Sequence, residues 1–206
     1  MGATLTHLIP IQELTPGQVG NIRNAAINAV IAMATRELGL PEDRLVVRDI
    51  RPMVDLELYD ADAATGTAED WIFTTATAGT GYKAICASRT MADQRYVAIF
   101  GVRDQRWTIG TTAANVTAAG IASGNLEPSL VSSLRITIGG AYKVMWDTKV
   151  MEGYLDAMVA FSPSVVIIPQ NVSYQIEVFK DAAREGDVML QLIGVVVEPR
   201  GLVISP

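Results

Sequence analysis

The 206-residue chain has one histidine, His7, and one cysteine, Cys86. The shortage of histidine removes the commonest general base and metal ligand at neutral pH. Ser-His-Asp and Cys-His arrangements, and barrels that hold a metal through several histidines, are therefore not expected. His7 itself reads as a solvated residue near the N-terminus. A lone cysteine excludes an internal disulfide and a thiolate cluster built within one chain. Set among apolar and small neighbours in "YKAICAS", Cys86 reads as a buried structural thiol. Aromatic residues make up only 6% of the chain, too few for an obvious sugar-stacking platform. Trp71, Trp107 and Trp146 each sit in strand-like sequence and are expected as core or interface anchors. There is no basic tract: acids outnumber bases 22 to 16 and the net charge is −6, so direct nucleic-acid binding is not expected. Nor is there an apolar run near the ~20 residues a transmembrane segment needs, and the N-terminus lacks the pattern of a signal peptide. The expectation is a soluble chain made inside a cell.

What is present suits a folded domain. Half the residues are hydrophobic and 18% charged, and a chain of this length buries roughly 70% of its unfolded surface on folding. The clearest local signal is "LTPGQV". Thr15 is placed as N-cap, Pro16 takes the first helical position, Gln18 completes a capping box and Leu14 can staple onto Val19. The helix should run from about Pro16 to Leu38 and stop at Gly39, with Pro41 just beyond. At about 100° per residue, Val19, Ile22, Ala26, Val30 and Met33 form one stripe, and Ile27, Ile31, Ala34 and Leu38 a second beside it. So wide an apolar arc needs cover on two sides, either from the chain's own sheet, which is the favoured reading, or shared with a neighbouring subunit. The second stripe, Ile27, Ile31, Ala34 and Leu38, is the candidate assembly interface.

Beyond the helix the hydrophobic period changes from 3.6 to 2. Strands are expected in "RLVVRDI", "VDLELY", "WIFTTAT", "YKAICAS", "RYVAIFGV", "RWTIGTT", "LRITIGG", "YKVMWDTKV", "AMVAFS", "SVVIIP", "VSYQIEVF" and "VMLQLIGVVVEP". In "VSYQIEVF", Val172, Tyr174, Ile176 and Val178 share one face; "SVVIIP" is apolar on both and needs cover on each side. The segment "AANVTAAGIASGNLEPSLVSS" reads as a long connection. Many strands, one helix and no alternating rhythm predict an all-β fold: an antiparallel sandwich or jelly-roll barrel with an N-terminal α-helix. The domain reading is an arm over residues 1–14, the helix over 15–40, the β-sandwich over 41–199 and a C-terminal arm over 200–206, within one globular domain.

Candidates for chemistry are weak. "GTGYK" lacks phosphate-loop spacing and is followed by strand, so it reads as a hairpin turn. Asp60, Asp62, Glu69 and Asp70 could offer oxygens to Ca²⁺, but without fixed ligand spacing they read as a solvated loop. Asp55, Glu57, Glu152 and Asp156 could supply a carboxylate pair, which only geometry would distinguish. The sequons at Asn115 and Asn171 read as polar loop positions. No catalytic residue, metal ligand or cofactor is expected.

A β-rich chain of this size with a helical N-terminal extension, long connections and a terminal "EPRGLVISP" arm resembles virion coat proteins of the jelly-roll type. The likeness spans Leu45 to Pro199 and is closest in "SPSVVIIPQNVSYQIEVF", similar to the paired late strands of such barrels. The resemblance implies a structural, non-enzymatic virion protein, made in the host cytoplasm, that assembles with copies of itself and with other virion proteins. One departure carries physical content. The first 22 residues hold Glu13 and no Lys or Arg, so the basic arm with which coat proteins meet a genome is missing. The implied subunit does not itself bind the genome; an underlying membrane or another shell protein could face it instead. Two other classes fit the composition: a β-sandwich binding module, such as a virion adhesin or carbohydrate-recognition domain, and a carboxylate-dependent enzyme on a β scaffold.

Overall fold

The computed structural model describes residues 4–50, 72–74, 81–105, 131–140, 142–147, 159–180 and 188–201. The N-terminal segment forms two short strands, β1 (Thr4–His7) and β2 (Ile9–Pro10), followed by a 3-10 turn over Ile11–Glu13. Helix α1 runs over Pro16–Leu38. Its ends are those the capping residues specify. The Thr15 hydroxyl accepts from the Gln18 backbone N–H, the Thr15 N–H donates to Gln18 Oε1 at 2.8 Å, and Gly39 closes the helix in the left-handed conformation at φ 64°.

The remaining strands are β3 (Leu45–Asp49), β4 (Ile72–Thr74), β5 (Gly81–Thr90), β6 (Tyr96–Gln105), β7 (Val131–Ile138), β8 (Tyr142–Asp147), β9 (Val159–Ile168), β10 (Ser173–Lys180) and β11 (Val188–Pro199). One sheet has the order β1-β8-β7-β10-β5 and the other β2-β9-β6-β11-β3, with β4 also on β11. The pairing is nested. The β7–β8 hairpin is the fold-back point, β6 pairs with β9, β5 with β10, and β3 and β4 with β11, all antiparallel. β3 and β4 lie on one line: β3 covers Val195–Pro199 of β11, the Ile50 N–H reaches the Gly194 carbonyl, and β4 covers Val188–Leu190. Both are antiparallel to β11 and follow one another along it. Gly139 and Gly140, at φ 61° and 71°, follow β7 in the left-handed conformation, where a side chain would be strained.

Alternation along the strands builds two cores. Between the sheets lie Val97, Ile99, Leu134, Ile136, Trp146, Val166, Ile168, Tyr174, Ile176 and Val196. On the other side of the β6-containing sheet, Tyr96, Ala98, Phe100, Phe161, Val195 and Val197 pack with α1. The segments "AMVAFS" and "SVVIIP", expected as separate strands, form the single strand β9. Its register to β6 jumps from Phe161 to Val166, and within this bulge Pro163 and Ser164 are exposed. The two-faced apolar stretch has its cover within the chain: Val166 and Ile168 face the other sheet, and Val165 and Ile167 face α1. The strands expected in "VDLELY" and "RWTIGTT", with Trp71 and Trp107, lie outside the described residues.

Candidate assembly surface

Helix α1 is held by the line Ala26, Val30 and Ala34, each 0% exposed, which meets the sheet directly. Four-residue steps drift little around a helix, so three small or branched side chains let the backbone approach closely. Val19, Ile22 and Met33 flank this line on one side, Ile27, Ile31 and Leu38 on the other, all half-buried. The four residues of the candidate interface therefore divide. Ala34 belongs to the chain's own core, while Ile27, Ile31 and Leu38 form a flank with only part of each side chain open to solvent. The surface turned fully outwards is a different set. Asn21, Ala25, Asn28, Ala29 and Ala32 are exposed and uncharged. A shallow cavity of about 440 Å³ lies beside it, bounded by Ile31, Thr35, Arg36 and Glu42. The 4-3-4 spacing of Asn21, Ala25, Asn28 and Ala32 is the sequence signal for this outward seam, which hydrophobic periodicity does not mark.

The same helix is pinned at both ends by polar contacts. Arg23 pairs with Asp49 at 3.0 Å, near the rim of a cavity of about 340 Å³ floored by Phe100, Phe161 and Ile193. Near the other end, buried Tyr96 donates its hydroxyl to Glu37 Oε2 at 3.0 Å. Burial, reinforced by the Glu37 carboxylate, raises the Tyr96 phenol above its ordinary value near 10. The folded state therefore keeps this proton where the unfolded chain loses it. The associated stability is complete below pH ~10 and declines as pH rises above it. Tyr96→Phe should remove this alkaline loss and cost about 1 kcal/mol at neutral pH, read from urea melts at pH 7 and pH 10.5.

One end of the sandwich carries a dense polar network. Glu198 is 8% exposed along its side chain, and Arg48 and Arg95 engage its two oxygens, Arg48 Nε at 3.3 Å from Oε2 and Arg95 Nε at 2.5 Å from Oε1. Beside it two sheet-to-sheet connections are laced together. The Met91 N–H donates to the Val172 carbonyl, the Asn171 N–H to the Met91 carbonyl, the Gln94 N–H to Gln170 Oε1, and Asn171 Nδ2 to Asp93 Oδ1. With both oxygens held by guanidiniums, Glu198 works as a clamp.

His7 is 72% exposed on β1, with Nδ1 3.6 Å from Asp147 Oδ2. Among the described residues no three His, Cys, Asp or Glu side chains gather as a metal site, and no helix is long and apolar enough to cross a membrane. Trp146 is fully buried between the sheets, as its strand-like sequence suggested. The carboxylates Asp55, Glu57, Asp60, Asp62, Glu69, Asp70, Glu152 and Asp156 lie outside the described residues, as does Asn115. Asn171, the other sequon position, occupies the β9–β10 turn at φ 56°. No protein-family model, curated protein or solved structure matches this chain.

Proposed function

We propose that this protein is a structural coat subunit of a virion, a self-assembling shell component of jelly-roll type that does not itself bind the genome. The observation that carries the reading is the nested strand order. A chain that folds in half about β7–β8, with β3/β4-β11-β6-β9 in one sheet and β5-β10-β7-β8 in the other, is compatible with a jelly roll, an architecture used for shells, and supports that reading. The net charge of −6 and an N-terminal segment without Lys or Arg agree with a subunit that leaves the genome to other components. The outward, uncharged Asn and Ala face of α1 is the surface assigned to neighbouring copies, flanked by Ile27, Ile31 and Leu38.

Light-scattering mass combined with negative-stain imaging tests the proposal. Symmetric particles of high mass are the expected result; a monomer at every concentration and ionic strength refutes it. Substitutions on α1 then locate the contact. Ile27→Glu or Ile31→Glu should lower both the melting temperature and the yield of particles, because those side chains also pack on their own sheet. Ala32→Glu should abolish particles while shifting stability by no more than about 0.5 kcal/mol, as its position is exposed. Unchanged assembly by the Ala32→Glu chain would move the interface elsewhere.

A further inference from the structure

We infer that the seam between β8 and β9 is an acceptor groove for the N-terminal strand pair of a second copy of this chain, so that neighbouring subunits exchange β1 and β2. The choice of partner rests on the assembly reading above; the groove itself is a feature of the single chain.

β8 ends one sheet and β9 the other, and the N-terminal segment closes both edges in one pass. β1 adds to β8, with Thr4 opposite Val144 and His7 opposite Asp147, and β2 adds to β9, with Ile9 opposite Phe161. Between them Leu8, 3% exposed, enters the inter-sheet core. Without this segment, two adjacent strand edges and an apolar hole would stand open. The β1–β8 pairing is parallel, unlike every other pairing among the described residues. No hairpin ties it to its acceptor, so its affinity resides in backbone hydrogen bonds and the Leu8 plug, which any copy of the segment supplies equally.

The connection to the rest of the chain suits exchange. The turn Ile11–Glu13 buries none of its side chains, and Thr15 is exposed. Ile11, 39% exposed, is the large hydrophobic residue left open at this hinge. Five residues from Ile11 to Thr15, if extended, span about 17 Å, enough to reach a touching neighbour. The segment from Thr4 to Gln12 has no Asp, Glu, Lys or Arg, so moving it between copies desolvates no fixed charge.

The test uses the full chain with Cys86→Ser as background. One version carries His7→Cys and a tag, the other Asp147→Cys, and the two are co-expressed. Their side chains face each other across the β1–β8 pair, and adjacent strands have the Cα spacing a disulfide requires. Exchange predicts a band of twice the chain mass on a non-reducing gel that contains both versions. A chain with both substitutions should likewise form covalent multimers when concentrated. The inference is overturned if the co-expressed chains do not cross-link while the doubly substituted chain closes only within itself at every concentration. Should Cys86→Ser reduce folded yield, the same chains retaining Cys86 serve, with the unsubstituted protein as background. Particle mass is scored separately. Cross-linked pairs without particles uphold exchange and refute the shell reading, and particles with internal bonds only do the reverse.

Discussion

Glu198→Ala should lower the free energy of unfolding by about 3–5 kcal/mol, seen as a melting temperature roughly 10 °C below that of the parent chain. Val196 turns into the inter-sheet core, and two residues on, Glu198 faces the same way at the end of the sandwich. Arg48, on the neighbouring strand, and Arg95, just before β6, converge on it. Alanine leaves two largely buried guanidiniums facing each other with the anion gone, and the cost is mostly their desolvation and mutual repulsion. Glu198→Gln keeps the shape and one acceptor but loses the charge, and should fall between alanine and the parent. Replacing all three residues with apolar ones should recover much of the loss, because the clamp is far costlier to break than to omit. A drop below ~1 kcal/mol for Glu198→Ala, measured by urea denaturation, would mean that water already solvates the three charges.

Gly194→Ala should cost about 3 kcal/mol or more, with a comparable fall in melting temperature. β11 and β6 pair with a one-residue irregularity: Ile193 lies opposite Gly101, but Gly194 lies opposite Ile99, so Phe100 is extra. At that crowded point a Cβ on residue 194 would press on the Ala98 carbonyl oxygen and sit 2.7 Å from Ile50 Cδ1. The first obstacle is backbone and has no rotamer to escape into. Gly101→Ala meets a similar barrier, 2.8 Å from the Ala160 carbonyl oxygen, and should be the milder of the two. Gly20→Ala is the control. It has open space around its Cβ and should be neutral or stabilising by up to about 1 kcal/mol, since glycine inside a helix carries an entropic cost.

The helix was legible because its ends are written locally: Thr15 and Gln18 bond each other within one turn, and Gly39 supplies the left-handed stop. Strand existence was legible for the same reason, since alternation is a property of a few neighbours. β10 shows it, with Tyr174 and Ile176 buried as their spacing required. What could not be read depends on partners distant in sequence. β9 appeared to be two strands because its bulge at Pro163 is defined only against β6. Nothing near Glu198 in sequence announces Arg48 or Arg95 as its partners. The helix arc predicted a need for cover on two sides, but which residues meet the sheet depends on axial rotation, and that turned Ala34 inward. The strands at Thr4–His7 and Ile9–Pro10 were not legible within the segment read as an arm, because two short strands carry too few positions to show a period.

The place of β11 in the sheet sets the order in which this protein can be made. It lies between β6 and β3, so the middle of that sheet stays vacant until Pro199 has been translated. From Leu45 to Pro199, at about 5–20 residues per second, the interval is on the order of 10–30 seconds. Throughout it α1, synthesised early, has an incomplete surface to cover, and β6 shows an unpaired edge flanked by exposed valine and isoleucine. Closure of this sheet thus waits for β11, when contacts across some 150 residues of sequence must form together. Soluble yield should therefore fall steeply as expression temperature rises, even where the finished fold is stable.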